Sequence, residues 1–431
     1  MPSVSNGNGR VRHGRVMEPV VVSHPAHQHA YETALGGQKA GLLESFVTGL
    51  YYKGRGEHLA RRLPDVAARP LRRELLRRRH PALDPSKVVT FPQDVALAVA
   101  FRRVFGRQLR SRSEQLEIWA QMRFDQRVAG WLVRRDPPRI VHAFEGAALA
   151  TFRAAKQASA ITVLDVASAH EEYVKVLRTE DVSSCSFSLD RVRAERSLAD
   201  FLFAPSEYVV HCLVRNGVPR DRIITIPYGV DESTFSYGRR RSDGTFRVLF
   251  VGQIGTRKGV KYLIDAWRNI GLQRAELVLV GEPDRVGKRL LSDLPGSCRW
   301  IGSVPKHEVH EWFSKCDAFV FPTLAEAWGL VVTEAMATGL PVVTTTECGA
   351  AVRDGRDGFV VPAGSVEALE EKLRLLYKNR DLCTEMGKSG RALVEQRYTW
   401  AHYHRRLADA YRWILHGEDP QKVETQDITR P

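Results

Sequence analysis

Short apolar runs alternate with longer amphipathic stretches along most of the chain. In the first half the runs lie at 18–27, 139–144, 160–168, 200–206 and 222–230. In the second half they lie at 246–252, 275–281, 298–304, 317–323, 340–345 and 357–363. Runs of this length predict buried strands, and strands separated by helices predict parallel sheets covered on both faces. The predicted fold class is α/β, with two Rossmann-like, doubly wound parallel-sheet domains facing a central cleft.

The composition along the chain sets the domain boundaries. Residues 1–16 are polar and rich in Gly and Ser, which predicts a disordered lead-in before a first domain at 17–240. A polar Gly/Arg/Ser stretch precedes the second domain at 246–396. Residues 397–416 leave the alternation and predict an amphipathic helix that crosses back to the first domain, followed by a polar tail at 417–431.

The charge of the chain points to an anionic partner. The formal net charge is +14, and basic residues cluster at 53–80 and 101–112. The second cluster predicts a short helix with arginines on one side and apolar residues on the other, at Phe101, Val104, Phe105 and Leu109. Such a helix is typical of peripheral contact with an anionic membrane, although a solvated basic face on a core is the commoner case. Aromatic residues are too sparse there to indicate nucleic acid.

Two features that the sequence lacks indicate where in the cell the protein is located. No apolar run reaches the roughly 18 residues that span a bilayer, and the six cysteines include no CxxC pair. We therefore expect a cytoplasmic protein without a zinc knuckle or disulfide framework. If the basic helices bind lipid, the protein would be peripheral on the inner face of the membrane.

A candidate phosphate site follows the first strand of the second domain. Gly252, Gly255 and Gly259 come after the strand, Arg257 and Lys258 lie between the last two, and a helix follows. Backbone amides, the helix N-terminus and two cations can converge there on a diphosphate, the alternative being a tight turn with solvated cations. The spacing is not GxGxxG, which disfavours a dehydrogenase.

A second glycine-rich stretch resembles a P-loop only superficially. Five residues separate Gly281 from Gly287 where a P-loop has four, and Arg289 stands where a hydroxyl would bind magnesium. We therefore reject a P-loop NTPase and expect an ordinary loop at the end of a strand.

Two carboxylates bracket the start of a predicted helix in EAWGLVVTEAMATGLPVV. Gly329 permits close backbone approach, and the amides of Leu330 and Val331 lie at the helix N-terminus, where anionic oxygens bind. Glu326 precedes the helix and Glu334 lies one turn inside it, about 12 Å apart at the usual helical rise. Each can accept hydrogen bonds from a vicinal diol, or both can be surface glutamates that favour the helix dipole.

These stretches resemble, in order and spacing, the donor domain of family 4 retaining glycosyltransferases of the GT-B fold. The resemblance is carried by GQIGTRKGVKYLIDAW, AELVLVGE, DAFVFPTLAEAWGLVVTEAMATGLPVV, DGFVVPAG and APSEYVVHCLVRNGVPRDRIITIPYGVDESTF. It covers residues 195–415 and only poorly the first 190. It implies transfer of a hexosyl group, with retention, from a UDP- or GDP-linked sugar to an acceptor hydroxyl. The acceptor would belong to glycan, glycolipid or small-molecule glycoside assembly and can be lipid-linked.

The resemblance also implies roles for the second-domain residues. Arg257 and Lys258 would neutralise the leaving diphosphate, Glu326 would hold the donor-sugar hydroxyls, and Glu334 would hold the ribose. The sugar and phosphates would contact Gly252, Gly329, Leu330 and Val331. Main-chain groups around Trp300 and Ile301 would hold the base. Neither a metal nor another cofactor is required in this scheme.

In the first domain the resemblance implies a phosphate-approaching loop at Gly36 and Gly37 and acceptor contacts from His27 and His29. A metal site at His24, His27 and His29 is the alternative, but no fourth ligand is evident.

Family relatives carry a histidine in the cleft at a position where this chain has Asp165. His170, five residues further on, is therefore the catalytic candidate, the alternative being a structural histidine. Glu145 and His142 either line the acceptor pocket or make hydrogen bonds within a loop.

Two other functions compete with transfer. A catalytically silent sugar-nucleotide-binding or membrane-associated scaffold of the same fold would lack the intact set of cations and carboxylates. A pyridoxal-phosphate phosphorylase is disfavoured because no cofactor-lysine motif is recognisable.

Overall fold

The computed structural model describes residues 19–26, 29–53, 78–105, 109–169, 171, 189–235, 243–305 and 308–417. Five predictions fall wholly or largely outside the described residues. They concern the lead-in, the polar tail, the basic cluster at 53–80, His27 and His170.

Two wholly parallel sheets form the framework. The first contains β1 (Val20–His24), β2 (Leu43–Thr48), β3 (Val88–Thr90), β4 (Ile140–Phe144), β5 (Ile161–Asp165), β6 (Phe201–Ala204) and β7 (Ile223–Thr225). The second contains β8 (Phe246–Val251), β9 (Ala275–Val280), β10 (Cys298–Gly302), β11 (Ala318–Phe321), β12 (Val342–Thr345) and β13 (Gly358–Val361). Their orders are β3-β2-β1-β4-β5-β6-β7 and β10-β9-β8-β11-β12-β13. The predicted pair of doubly wound α/β domains is therefore confirmed.

Helices connect most of the strands. Those of the first domain are α1 (Ala30–Lys39), α2 (Pro92–Phe105), α3 (Arg110–Leu132), α4 (Leu149–Gln157), α5 (Leu189–Leu198) and α6 (Glu207–Arg215). The second domain has α7 (Val260–Ile270), α8 (Arg285–Leu291), α9 (Val309–Ser314), α10 (Leu330–Ala337), α11 (Val366–Lys378) and α12 (Arg380–Arg397). A last helix, α13, covers Trp400–His416. No helix within the described ranges combines the length and apolar composition needed to cross a bilayer.

The predicted helix at 101–112 is wrong as a unit. α2 ends at Phe105 and α3 begins at Arg110, so no single helix covers the stretch, and its two ends belong to two longer antiparallel helices. Gly106, near the middle of the stretch, is of a residue type that costs about 1 kcal/mol relative to alanine in a helix interior.

The predicted loop at Gly36 and Gly37 is also wrong, because both residues lie inside α1. A Cβ atom on Gly36 would lie 2.9 Å from Leu407 Cδ2 of α13, and one on Gly37 would lie 3.5 Å from Leu43 Cβ. Thr33 Oγ1 and the Tyr403 hydroxyl are 2.7 Å apart across the same contact. The two glycines therefore allow α1 to pack closely on α13 and β2, and they do not form a strand-helix turn.

The carboxyl edges of the two sheets approach each other. Ser206, just after β6, donates a hydrogen bond of 2.6 Å to the carbonyl of Ala327, which follows β11. Trp328 belongs to a buried apolar cluster of the first domain, with its indole centroid 6.4 Å from Tyr228 and 5.4 Å from Tyr398. Because ligands of parallel sheets bind at the carboxyl ends of strands, this meeting of edges locates the candidate site.

Candidate functional site

The turn after β8 is built on glycines. Thr256–Lys258 form one turn of 3₁₀ helix, and Gly259 then adopts φ of 65° before α7 begins. A Cβ atom on Gly259 would lie 1.8 Å from the carbonyl oxygen of Pro322, and one on Gly255 would lie 1.9 Å from Asp284 Oδ2. The left-handed backbone and the clash with a main-chain oxygen require glycine at 259, whereas a side chain at 255 would displace the Asp284 carboxylate that accepts from the Gly287 amide at the start of α8.

The loop after β11 is fastened to that turn. The amide of Leu324 donates to the carbonyl oxygen of Arg257 at 2.8 Å, and Thr323 Oγ1 donates to the same oxygen at 3.1 Å. Thr345 Oγ1, at the end of β12, donates to the Thr323 carbonyl at 2.6 Å. These bonds bring the strand-end loops of β8, β11 and β12 together at the carboxyl edge.

Arg257, Lys258 and Glu326 are in direct contact. Arg257 Nη1 donates to Glu326 Oε2 at 3.0 Å and to the Ala325 carbonyl at 3.1 Å. Lys258 Nζ donates to the same Glu326 oxygen and lies 4.6 Å from the centroid of the Phe321 ring. Burial opposes ionisation of Glu326, but the two cations hold the pKa of its carboxyl below the usual value. The three side chains together carry one net positive charge.

The N-terminus of α10 lies beside these charges. Gly329 is the N-cap residue of this helix, with φ of 79°. A Cβ atom on Gly329 would lie 3.5 Å from Glu326 Cγ and 3.2 Å from Cys348 Sγ. The backbone of Glu326 is held by the carbonyl of Glu347 and the amide of Gly349, both at 2.9 Å. The structure thus brings Glu326 and the start of α10 together with the two cations, as an anion site requires.

The other predicted donor contacts are more spread out. Glu334 lies in the middle of α10 and is buried. Gly252 directly follows β8. Ile301 lies in β10, the edge strand two places from β8. Beside it the exposed Trp300 donates from its indole nitrogen to the Gly281 carbonyl at 3.0 Å. These residues remain predicted contacts at the carboxyl side of the second sheet.

A buried polar network occupies the facing edge of the first domain. Asp165 ends β5, and its Oδ1 lies 3.1 Å from His29 Nε2 and accepts from the Tyr228 hydroxyl at 3.2 Å. His142 Nε2 lies 3.6 Å from Asp165 Oδ2, and His142 Nδ1 lies 2.6 Å from the Tyr411 hydroxyl. Burial opposes the charge of Asp165, yet the two histidines hold its carboxyl pKa well below the usual range. Burial lowers the pKa of His142.

Tyr228 and Trp328 were missed by the sequence reasoning. Tyr228 binds Asp165 in the first domain and packs on Trp328, which lies two residues beyond Glu326 in the second. Trp328 follows the predicted strand at 317–323, and Tyr228 lies near the end of the predicted run at 222–230, so their position near a carboxyl edge was the available signal. Their contact connects the Asp165 network of the first domain with the segment that carries Glu326 in the second domain.

Glu145 is held in an ion network. Its Oε1 lies 2.7 Å from Arg196 Nη2, its Oε2 accepts from Ser168 Oγ at 2.9 Å, and Arg196 also pairs with Glu171 at 2.5 Å. This arrangement matches the alternative of local hydrogen bonding, so its acceptor contact stays a prediction. Within the described ranges no group of three or more His, Cys, Asp or Glu side chains is placed to hold a metal ion.

The second domain is similar in sequence to known glycosyltransferases. Residues 235–393 match the family described as Glycosyl transferases group 1. The D-inositol 3-phosphate glycosyltransferase of Pseudarthrobacter chlorophenolicus is 29% identical over 228 residues, which cover 48% of this chain and 53% of that relative. The chain thus spans about half the length of the curated relatives that it matches.

Solved structures extend the likeness to both domains. Sucrose-phosphate synthase from Thermosynechococcus elongatus superposes with a TM-score of 0.66 at 16% identity, covering 93% of this chain and 99% of that one. HepE of Anabaena, in complex with UDP and glucose, gives 0.62 at 16% identity, covering 91% and 98%. At this identity the likeness establishes the fold, which is GT-B as predicted.

Proposed function

We propose that this protein is a family 4 retaining glycosyltransferase that moves a hexosyl group from a nucleotide-diphosphate sugar to an acceptor hydroxyl. The acceptor belongs to glycan, glycolipid or small-molecule glycoside assembly. The proposal is carried by one observation, the contact of Arg257, Lys258 and Glu326 beside the N-terminus of α10. The match of residues 235–393 to a glycosyltransferase family supports it.

The charges of this cluster suit a leaving diphosphate. When the bond from the sugar carbon to the phosphate oxygen breaks, negative charge develops on that oxygen. Arg257, Lys258 and the amides that start α10 stabilise the charge in a partly buried site, where electrostatic interactions are stronger than in water. The donor then replaces Glu326 as the anionic partner of the cations.

The released Glu326 carboxylate is free to accept hydrogen bonds from the sugar hydroxyls. Its backbone is fixed by two hydrogen bonds to the segment after β12, so the side chain is positioned before the donor arrives. Glu334 holds the ribose, and the backbone around Ile301 holds the base.

The acceptor hydroxyl attacks from the side of the first domain. Its proton passes to the leaving phosphate on the same face of the sugar, so that configuration is retained and no enzyme nucleophile is needed. His29, oriented by Asp165, lies at the edge that faces the donor cluster. We propose that the acceptor binds there, with His27, His170 and Glu145 as further candidate contacts.

The donor is proposed to be UDP- or GDP-linked, and the complex of HepE with UDP favours UDP. No metal is needed in this scheme, because the two cations and the helix N-terminus supply the positive charge. The proposed location is the cytoplasm, with the acceptor either soluble or carried by lipid.

The test is thermal denaturation of the full chain with UDP-, GDP-, ADP-, CDP- and dTDP-sugars, first without metal and then with magnesium. A ligand at a hundred times its Kd stabilises the native state by about 2.7 kcal/mol. We expect one nucleotide family to raise the melting temperature without magnesium. The same sugar nucleotide should then release its nucleoside diphosphate when candidate acceptors are added.

Two outcomes would count against the proposal. If no sugar nucleotide raised the melting temperature, the proposed donor site would be contradicted. A shift without nucleotide release under any acceptor would favour a catalytically silent, sugar-nucleotide-binding scaffold.

A further inference from the structure

Exposed apolar side chains are concentrated on one part of the first domain. The described residues contain nine exposed large apolar side chains, and five of them lie between residues 97 and 122. The five are Leu97, Val104, Phe105, Trp119 and Met122. Isolated exposed apolar residues are normal, but such a concentration on two neighbouring helices marks an interaction surface.

On α2 these residues fall on one stripe. Leu97, Phe101 and Val104 have the spacing i, i+4, i+7, which places them on one helical face. Leu97 is 54% exposed and Val104 is 68% exposed, and the rings of Phe101 and Phe105 are 5.1 Å apart. The outward face of α2 is therefore the apolar one near its C-terminal end, opposite to the usual arrangement of a surface helix.

The two helices reach the core only through part of their length. α3 contributes Phe124, Val128 and Leu132 to the buried cluster of the first domain, and α2 contributes Val95. An ion pair of 2.7 Å between Arg127 and Asp94 joins the two helices close to these core residues. The described residues at 97–105 and 109–123, which we call the hairpin tip, are absent from the fully buried part of that cluster.

The hairpin tip lies beyond the carboxyl edge of the first sheet. Asp125 accepts hydrogen bonds of 2.8 Å from the amides of Ala150 and Thr151, which start α4 just after β4. This fixes Asp125 at the carboxyl edge, and α3 continues from there alongside α4 into the core. The preceding residues 110–124 form about 22 Å of helix, which extends from Asp125 beyond the carboxyl edge and away from the sheet. The carboxyl edge is the one that faces the second domain.

The charge of the hairpin tip is strongly positive. Residues 97–123 contain six arginines and two glutamates, a net charge of +4, and residues 97–112 contain five arginines and no acidic residue. Arg102, Arg103, Arg112 and Arg123 have exposed side chains. Arg102 Nη1 pairs with Glu117 Oε1 at 3.1 Å, which joins the two helices within the tip.

We propose that the hairpin tip docks on the surface of an anionic lipid bilayer. The exposed Leu, Val, Phe, Trp and Met side chains enter the boundary between headgroups and acyl chains, while the arginines meet the anionic headgroups. A second copy of the chain would bring two surfaces of charge +4 together, and nucleic acid would leave the aliphatic side chains without a function. A bilayer accommodates both properties at once.

This docking deepens the proposed function, on which its consequence for the acceptor rests. Because the tip extends beyond the carboxyl edge, a docked protein presents the cleft side of its first domain toward the membrane. The acceptor of the transfer reaction would then be a lipid-borne hydroxyl at that surface.

The test is co-sedimentation of the full chain with large unilamellar vesicles. One set consists of phosphatidylcholine alone, and the other of phosphatidylcholine with phosphatidylglycerol at about 3:1. We expect binding at least about tenfold tighter on the anionic vesicles, and weaker binding as salt is raised. The assay contains no nucleotide, so its failure is distinguishable from failure of the proposed transferase activity.

Paired variants assign the binding to the tip. The double variant Val104→Glu/Phe105→Glu should bind anionic vesicles about tenfold more weakly, because acidic groups replace apolar ones. The control Val214→Glu/Leu375→Glu makes the same exchange at exposed apolar positions elsewhere and should bind as wild type does. Circular dichroism melting curves establish that each variant is folded.

Three results would overturn the proposal. They are equal binding to neutral and anionic vesicles, binding by the tip variant that equals binding by the control, and a stable dimer that the tip variant dissociates. The last result, read by sedimentation equilibrium, would assign the surface to self-association.

Discussion

The carboxylate of Glu326 accepts a hydrogen bond of 3.0 Å from the guanidinium of Arg257, although the two residues lie 69 positions apart in the sequence. Lys258 donates to the same oxygen, so one carboxylate holds two cations in place. In the proposed reaction this carboxylate has two roles. It keeps the cations positioned in the free protein, and it binds the sugar once the diphosphate has taken over the cations.

Replacing Glu326 should therefore separate nucleotide binding from transfer. In Glu326→Gln the cations lose their anionic partner, so a nucleoside diphosphate should bind about threefold or more tightly than to wild type. Turnover of the sugar nucleotide should fall at least about a hundredfold, because the charged acceptor for the sugar hydroxyls is gone. Isothermal titration with the nucleoside diphosphate and a nucleotide-release assay measure the two effects. Weaker nucleotide binding in the variant would mean that Glu326 acts mainly by supporting the loop.

Replacing Arg257 should weaken nucleotide binding itself. A charged hydrogen bond contributes roughly 1.5–3 kcal/mol, so Arg257→Ala should raise the Kd for the nucleoside diphosphate by about tenfold or more. The matched control is Arg268→Ala, which removes one arginine from α7 where it pairs with Asp293 at 3.0 Å. The control keeps the same net charge as the test variant. Equal affinity of the two variants would contradict a diphosphate contact at Arg257.

The glycine at the end of the 3₁₀ turn should be irreplaceable. Gly259 and Gly271 both adopt left-handed backbone, with φ of 65° and 60°. A Cβ atom on Gly259 would lie 1.8 Å from the Pro322 carbonyl oxygen, whereas one on Gly271 would meet nothing within 4 Å. Gly271→Ala should cost about 1–2 kcal/mol of unfolding free energy from backbone strain alone.

Gly259→Ala carries the same backbone strain and the clash in addition, so its loss in urea unfolding should exceed that of Gly271→Ala by about 2 kcal/mol or more. It should also weaken nucleotide binding, because Arg257 and Lys258 precede this glycine. Equal stability of the two alanine variants would show that the β8 and β11 loops can separate freely.

The sequence predicted the strands well where apolar residues predominate in the run. Each of the eleven predicted apolar runs contains a strand of the structure. The two strands that were missed have local reasons. β2 reads LESFVT, in which Glu44 and Ser45 interrupt the apolar run, and β3 has only three residues. Their pairing in the sheet decides their conformation, and periodicity within one segment does not reveal such pairing.

The sequence predicted which residues belong to the site better than it predicted the contacts between them. Strand-end glycines and cations placed Arg257, Lys258 and Glu326 in one site, but their mutual hydrogen bonds join segments about 70 residues apart. Gly36 and Gly37 show the opposite case. A Gly-Gly pair after a strand usually indicates a turn. Here Gly36 instead relieves crowding against Leu407, which comes from the far end of the chain, and Gly37 packs against Leu43 of β2.

The contact between α1 and α13 should be sensitive to acid. Glu32 on α1 lies 2.9 Å from His404 Nε2 on α13 and 3.2 Å from His80 Nε2. Burial opposes its ionisation, but hydrogen bonds and charge from the two histidines lower the pKa of its carboxyl to about 2. The unfolded chain protonates this group near its ordinary value of 4.5, so between these values the unfolded state binds more protons. The stabilisation is therefore complete above about pH 4.5 and is lost as the pH falls through about 2.

The variant Glu32→Gln isolates this contribution because it keeps the shape of the side chain and removes its titration. Urea unfolding of wild type and variant at about pH 5.5 and about pH 3 gives the difference in unfolding free energy at each pH. We expect the advantage of wild type to shrink by roughly 2 kcal/mol between the two pH values. The control Glu207→Gln, at a side chain that is 61% exposed, should show almost no such change. A constant advantage of wild type over Glu32→Gln would mean that its stabilising effect does not depend on the ionised carboxylate.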